Sequence, residues 1–305
     1  MSIESIHFGR ITWVNVVHPS AEDIDELQAM YPYIHPLNLE DIGSRIERPK
    51  IDEDDDYLFL VMHFPVWDRL VSITRATEVD FILGRGYIVT IHEKTLKPLQ
   101  NLFNQCRQDE ATRQAVMGRG ASYAFHVIVD MLVDYIIPML RKVEAHIRKI
   151  EEDIFVDDAP QVIRRIVIVR RDIIALRRIV RQQVPILEEL ENTENPLIHE
   201  DQEQYFGDVA DHLYKARDII EENYELINVL ADTMDMLANH RINEVMRILT
   251  VFSVIMLPLT LLSSIYGMNV NLPFADHPDS FILLCGSMIA ILLVMLIYFR
   301  RRHWL

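Results

Sequence analysis

A weakly polar stripe of hydroxyl-bearing side chains, with one leucine among them, follows one face of the apolar segment that begins near residue 248. Its members are separated by three, four, three and four residues, the spacing of one face of an α-helix, and are Thr250, Ser253, Leu257, Thr260 and Ser264. Toward the N-terminus the same face takes in Met246 and Asn243. Such a stripe suits contact with another helix, or the lining of a path for polar solutes. Spacing alone leaves both open, and a path needs several copies of the chain around one axis.

The apolar segment ends in Tyr-Gly-Met-Asn at residues 266–269. Gly267 is expected to end the helix in a left-handed conformation, as glycine commonly does. The amide oxygen of Asn269 is a neutral acceptor, and oxygen ligands suit Mg²⁺, which gives up its waters reluctantly. A ring of such amides and main-chain carbonyls would hold a hydrated ion through its water shell. By itself the tripeptide is a weak signal, because Gly-Met-Asn occurs by chance in many chains.

The elements that must carry these residues are two uncharged, apolar runs at residues 248–266 and 281–299. Nineteen helical residues span about 28 Å, close to the hydrocarbon core of a bilayer, so we predict two transmembrane helices. The N-terminus shows no signal peptide pattern. Basic residues lie outside both ends of the pair, at Arg241, Arg247, Arg300, Arg301 and Arg302. The only charged residues of the loop 267–280 are Asp276 and Asp279. The positive-inside rule therefore places both termini in the cytoplasm.

The remaining chain divides into a strand-rich part and a helical part. Residues 1–95 are predicted as an α/β domain, with strands at 13–17, 57–62, 78–83 and 87–91, a hairpin at 84–86 and a short helix capped by Ser20. Residues 96–247 are predicted as a helical and stalk domain, with one helix over 121–154 kinked at Pro138 and a second over 161–191. A third runs without interruption from about 203 to 265, directly into the membrane. The alternative is two helices with a hinge near Asn239-His240.

Charge is sorted along the chain. The 305 residues include 30 Lys and Arg and 46 Asp and Glu, a net charge of −16 that argues against nucleic acid as a partner and favours cations. Residues 186–235 hold 15 acids against two bases, whereas 164–181 hold seven arginines against Asp172. We interpret the basic and acidic segments as a charge-paired helical hairpin. Acids that collect cations would again need several chains around one axis.

Several motifs together resemble the CorA family of magnesium channels, over essentially the whole chain. They are the Tyr-Gly-Met-Asn motif after the first span, the segments Asn243–Thr250 and Met256–Thr260, the tail Arg-Arg-Arg-His-Trp-Leu at 300–305, and the stretches 35–41 and 48–51. The resemblance implies a funnel-shaped homopentamer with an α/β cytoplasmic domain, a long-helix stalk and two C-terminal transmembrane helices. It implies Mg²⁺ uptake through the cell membrane without ATP, extending to Co²⁺ and Ni²⁺, and no organic cofactor. The sequence contains no nucleotide-binding glycine loop, catalytic triad pattern or His-Glu-x-x-His motif, so we do not expect an enzyme.

The same resemblance assigns roles to residues. It implies a selectivity filter at Gly267, Met268 and Asn269, and inner gate residues at Asn243, Met246, Leu249 and Leu257, the face found from spacing. That agreement favours the pore over helix contact, with hydrophobic side chains that gate by dewetting. Family members sense intracellular Mg²⁺ through acids between subunits; Asp232 matches one such position, and Glu78 or Asp80 is the expected partner.

The external loop departs from the family pattern. Many family members follow the motif with Met-Pro-Glu-Leu, but residues 270–278 lack the glutamate, so Asp276 and Asp279 are expected to supply the external negative charge.

Two alternative functions stay open. A zinc carrier of the same architecture, coupled to protons, is one alternative, against which Met268 argues. A membrane-anchored sensor that transports nothing is the other. The expected partners are further copies of the chain, the lipid bilayer and divalent cations.

Overall fold

The computed structural model describes residues 2–43, 47–68, 71, 73–156, 159–198, 200–268 and 279–304. The chain forms two compact units, Met1–Ala231 and Asp232–Leu305. The first contains a sheet and most of the helices, and the second consists of helices.

The first unit is built on a six-stranded mixed sheet. Its strands are β1 Ile3–Phe8, β2 Ile11–Val17, β3 Lys50–Glu53, β4 Tyr57–Asp68, β5 Ile73–Gly84 and β6 Tyr87–His92. They lie in the order β1-β2-β6-β5-β4-β3, with β2 and β6 parallel and all other neighbours antiparallel. The four strands expected from the sequence are confirmed. The edge strands β1 and β3 were not predicted, because few of their apolar side chains are buried.

Helices cover both faces of the sheet. They are α1 Ala21–Met30, α2 Pro36–Gly43, α3 Lys97–Gln108, α4 Glu110–Met117, α5 Ala121–Asp134, α6 Ile136–Asp153, α7 Ala159–Glu191, α8 Glu200–Tyr266 and α9 Ser280–Arg301. On one face, side chains of α1 and α2 such as Leu27 and Leu39 pack on Val14, Phe59 and Val89. On the other, Phe125 of α5 meets Phe81 edge to face. The α/β class is therefore confirmed.

Two local signals act as the sequence indicates. The Ser20 side chain accepts a hydrogen bond from the main chain of Asp23, whose carboxylate accepts one from the Ser20 main chain, a complete capping box. The β5–β6 hairpin closes through Arg85 and Gly86, with Gly84 opposite Tyr87. Gly86 has φ of +87°, a backbone conformation that glycine adopts without strain.

The helix expected over 121–154 is instead two helices, α5 and α6, separated at Tyr135. The prediction of a kink at Pro138 was right about the cause and wrong about the place. Proline lacks the N–H that would bond to the carbonyl of Asp134, and its ring crowds that same carbonyl four residues earlier. The interruption therefore lies one turn before the proline.

The long helix and the two apolar spans are confirmed as helices. α8 runs over 67 residues without interruption, so the alternative with a hinge near Asn239-His240 is wrong. The apolar part of α8 and α9 are each long and apolar enough to cross a membrane, and only 6% and 0% of their most apolar segments are buried within the chain. Residues 121–153 meet the same length and composition test, but 56% of their most apolar segment is buried in the chain's own fold.

Candidate cation path and cation-binding sites

Within the second unit, α8 has one face that contacts α9 and an opposite face that is exposed. Val251, Ile255 and Phe299 are buried together, with Leu259 packed against them. Ser253 and Leu257 follow Val251 and Ile255 by two residues, which places them about 200° around the helix axis from those contacts. All members of the stripe are exposed in the single chain: Asn243, Met246, Leu249, Thr250, Ser253, Leu257, Thr260 and Ser264. The contact between α8 and α9 therefore does not use the stripe.

The hydroxyls of the stripe are oriented by their own helix. The Thr250 Oγ1 donates to the carbonyl of Met246 at 2.7 Å, and the Ser253 Oγ donates to that of Leu249 at 2.8 Å. The Thr260 Oγ1 lies 3.0 Å from the carbonyl of Met256. A hydroxyl whose proton is committed to the backbone offers its remaining lone pairs as acceptors. The exposed face therefore presents acceptors, which suit the outward-pointing hydrogens of a cation's water shell.

Apolar side chains interrupt these acceptors. Met246, Leu249 and Leu257 are 54%, 56% and 66% exposed, so nothing else in the described chain covers them. Pro258 follows inside the helix and removes the hydrogen bond to the carbonyl of Val254. A ring of such apolar side chains would form a constriction that excludes water.

The end of α8 differs from the expected glycine cap. Gly267 is not in the left-handed region; its N–H donates to the carbonyl of Ser263 at 3.0 Å, and the N–H of Met268 donates to that of Ile265 at 3.3 Å. The helix thus ends by tightening its last right-handed turn. A Cβ at residue 267 would lie 3.2 Å from the carbonyl oxygen of Ser263, a close approach that favours glycine for its size. Asn269 and Asp276 lie outside the described residues, and Asp279 immediately precedes α9.

The basic tail continues and caps α9. Arg300 and Arg301 occupy its last turn, where positive charge complements the helix dipole, and Arg302 is its C-cap residue. The main-chain N–H of Trp304 donates to the carbonyl of Phe299, so the chain turns back on the helix end. The ring centroids of these two residues are 5.8 Å apart.

In the first unit, Glu78 and Asp80 both line a cavity of about 1360 Å³. The Glu78 carboxylate accepts from the main chain of Glu47 and lies 3.4 Å from Nε2 of His63. Asp80 is only 4% exposed, and its Oδ1 has no hydrogen-bond partner in the described chain. Burial, and then the charge of Glu78, raise the pKa of Asp80 well above its ordinary value. A buried, unpartnered carboxylate oxygen beside a cavity is suited to binding a cation.

Asp232 is exposed on α8 and is the first residue of the second unit. The structure therefore divides the three expected regulatory acids between the two units. Glu78 and Asp80 lie on β5 in the first unit, and Asp232 lies in the second.

A second cluster of possible metal ligands was not predicted from the sequence. Asp130 and Asp134, one turn apart on α5, lie 3.7 and 3.1 Å from Nδ1 of His212 on α8, and their ligand atoms all lie within 4.8 Å of one another. Burial, and next the charge of Asp134, raise the pKa of Asp130. One imidazole with two carboxylates suits Co²⁺, Ni²⁺ or Zn²⁺ better than Mg²⁺, which prefers oxygen alone. Only the spacing of Asp130 and Asp134 was visible in the sequence, since His212 comes from a distant helix.

The expected pairing of basic and acidic helices is found at particular residues. The Nε of Arg177 on α7 donates to Glu221 of α8 at 2.7 Å, and its guanidinium lies 4.9 Å from the ring centroid of Tyr224. Arg165 pairs instead with Asp153 of α6, at 2.6 Å. The arginines of α7 thus serve more than one neighbouring helix.

The chain is similar to known proteins over almost its whole length. A family profile described as CorA-like Mg²⁺ transporter protein matches residues 8–301. The cobalt/magnesium transport protein CorA of Thermotoga maritima is 27% identical over 296 residues, covering 96% of this chain and 83% of that protein. The complete structure of the CorA magnesium transporter from Methanocaldococcus jannaschii superposes with a TM-score of 0.87 at 22% identity, covering 98% and 94%. The zinc transport protein ZntB of Yersinia pseudotuberculosis is 18% identical over 297 residues, covering 96% and 88%.

Proposed function

This chain belongs to the family of CorA-like Mg²⁺ transporter proteins, and we propose that it assembles as a homopentamer that conducts Mg²⁺ into the cytoplasm. Co²⁺ is a further substrate, which the cobalt and magnesium named for its Thermotoga maritima relative support, and we include Ni²⁺ in the same proposal. It resides in the cell membrane with both termini in the cytoplasm, because the basic residues flank the helix pair on that side.

The observation that carries this proposal is the free face of α8. The apolar part of α8 turns its hydroxyls away from α9, and within a membrane such hydroxyls need something polar opposite them. A ring of five such helices would enclose a path lined by acceptors, through which a hydrated cation passes. Leu249 and Leu257 of neighbouring copies would form the hydrophobic gate.

The outer end of this path is the selectivity filter of Gly267, Met268 and Asn269. Close packing against the Ser263 carbonyl explains a glycine at residue 267, and the Asn269 amides would hold the ion through its waters. Asp276 and Asp279 supply negative charge in the external loop in place of a glutamate. A divalent ion gains about 4.6 kcal/mol per 100 mV of membrane potential, so inward transport needs no ATP.

Intracellular cations close the path in this proposal. Asp80, with Glu78, offers a buried carboxylate that gains a counter-charge when a cation binds, and Asp232 of a neighbouring copy is its proposed partner. The cluster of Asp130, Asp134 and His212 serves transition-metal ions. With these sites empty, repulsion among like charges loosens the ring and favours the open state.

Replacing Asn269 tests the filter. We expect Asn269→Ala to abolish Mg²⁺-selective uptake into proteoliposomes, measured with an internal Mg²⁺ dye, while the assembly elutes unchanged on gel filtration. Asn271→Ala, the same change two residues further along, is the control and should retain uptake. Wild-type uptake by Asn269→Ala would refute the filter assignment.

A zinc carrier is the second candidate, because zinc transport proteins of this family align over 96% of the chain and a histidine lies in the α5–α8 cluster. A flux assay comparing Mg²⁺, Co²⁺, Ni²⁺ and Zn²⁺, with and without a proton gradient, separates the two. Zn²⁺ uptake that a proton gradient accelerates would favour the carrier, and absence of flux for all four ions would favour a sensor.

A further inference from the structure

A pocket of about 430 Å³ lies between α7 and α8, within the first unit and apart from every acidic site described above. Its polar lining is formed by Arg177, Arg181 and Arg217, with Glu221 as its one carboxylate. Its apolar wall is formed by Val184 and Pro185, over the side chain of Ile220, which is 1% exposed. Three arginines line this one pocket, although the net charge of the chain is −16.

The charges of this pocket are not balanced by the chain itself. Glu221 is engaged by Arg177, through the 2.7 Å hydrogen bond from Nε. Arg217 lies against the ring of Tyr214, and its Nε and Nη2 both donate at 3.3 Å to the carboxylate of Asp218, which is 72% exposed to water. Arg181 has no hydrogen-bond or ion-pair partner in the described part of the chain. Three guanidinium groups against the carboxylates of Glu221 and Asp218 therefore leave one surplus positive charge, on Arg181, next to an Arg217 whose carboxylate partner is exposed to water.

The shape and chemistry of the pocket define the ligand it fits. Guanidinium groups bind phosphate oxygens through paired, charge-assisted hydrogen bonds, and they do so more strongly beside apolar surface than in open water. The volume lies within the range of small-molecule sites, about 300–1,000 Å³. The apolar wall of Val184 and Pro185 gives a flat organic group something to pack on. An inorganic anion alone would leave that wall unused.

We propose that the α7–α8 pocket binds a nucleoside polyphosphate, with its phosphates on Arg181 and Arg217 and its base against the Val184–Pro185 wall. This site goes beyond cation transport and does not depend on it. Because nucleoside triphosphates are themselves strong ligands of Mg²⁺ through their phosphate oxygens, a bound one links the soluble unit of a cation transporter to the same cellular pool of ions.

Calorimetric titration of the detergent-purified full chain, dialysed free of divalent cations, tests the site with ATP, tripolyphosphate and adenosine as probes. We expect ATP to bind, tripolyphosphate to bind more weakly because it does not use the apolar wall, and adenosine not to bind. Arg181→Gln should weaken ATP binding by about ten-fold or more, because each lost guanidinium removes a charge-assisted contact. Arg217→Gln should weaken it to a similar extent, with unchanged helical content by circular dichroism.

Arg178→Gln is the matched control, since Arg178 is exposed on the same helix, outside the pocket, and carries the same charge. It should bind ATP within about two-fold of the wild type. Equal weakening by Arg178→Gln and Arg181→Gln would show general attraction to a basic helix and overturn the site, as would ATP binding that Arg181→Gln leaves unchanged. Tripolyphosphate that binds as tightly as ATP would overturn the assignment of a nucleoside.

Discussion

The carboxylate of Asp80 lies on β5 with one oxygen that no donor in the described chain reaches, beside a cavity large enough for a hydrated ion. Burial favours its protonated form, so the folded chain keeps this proton to a higher pH than the unfolded chain does. A metal cation competes for the same oxygen. At the scale of single residues, proton binding and cation binding at Asp80 are therefore alternatives.

The variant Asp80→Asn tests how this coupling affects the stability of the fold. The raised pKa means that wild-type stability falls as pH rises from the ordinary value of 3.8 toward the higher folded value. We expect Asp80→Asn to lose that decline and, without Mg²⁺ at neutral pH, to melt at a higher temperature than the wild type. Each kcal/mol gained would appear as a rise of about 2–4 °C. Thermal unfolding by circular dichroism at several pH values measures both effects.

The same variant should respond less to Mg²⁺, because the ligand that needs a counter-charge is gone. Asp55→Asn, at an exposed turn residue, is the control and should keep the wild-type pH dependence and Mg²⁺ response. If the stability of Asp80→Asn fell with rising pH as steeply as that of the wild type, the burial of Asp80 would not be the cause of the decline.

At the scale of elements, α8 has opposite faces with different partners. Val251 and Ile255 pack against Phe299 of α9, which holds the helix pair together, and the face about 200° away carries Ser253 and Leu257. A substitution on one face should therefore affect packing, and one on the other should affect conduction.

Leu257→Ser tests the gate on the free face. A serine hydroxyl stabilises water in an apolar constriction, so we expect Mg²⁺ uptake to continue at internal Mg²⁺ concentrations that close the wild type. The measurement is uptake into proteoliposomes preloaded with Mg²⁺. Phe252→Ser is the control, because Phe252 is similarly exposed, at 63% against 66%, but lies off the stripe. A leak of equal size in both variants would contradict a gate at Leu257.

At the scale of the whole molecule, the question is what surrounds the free face and the acidic helix. The chain carries −16 net charge, and copies around one axis bring their acidic segments together, which costs electrostatic free energy unless cations bind. Assembly and intracellular cation binding are therefore expected to be coupled.

Native mass spectrometry in detergent tests the assembly. With Mg²⁺ present we expect one species of five chains, each of 35.7 kDa. Removal of divalent cations with EDTA should increase amide hydrogen exchange in α8, because repulsion loosens the ring. A stable dimer, or a monomer at all Mg²⁺ concentrations, would contradict the pentamer.

Much of the fold could be predicted because it depends on local pattern. Uncharged runs of nineteen residues define α9 and the apolar end of α8, the capping residue Ser20 begins α1, and the hairpin at Gly86 joins two buried strands. The predicted position of the break, Pro138, was wrong because a proline acts on the carbonyl four residues before it, and the break therefore lies at Tyr135. The edge strands escaped notice because few of their side chains are buried.

The sequence by itself determined the membrane helices, the spacing of the stripe and the motif at residues 266–269, because these properties are periodic or contiguous along the chain. Only the tertiary structure decided that α9 packs on Val251 and leaves the stripe free, and that Asp80 is buried with an unpartnered oxygen. It also brought His212 to Asp130, and Arg181 to Arg217 across two helices. Burial and proximity depend on residues far apart in sequence, and no spacing within one helix contains that information.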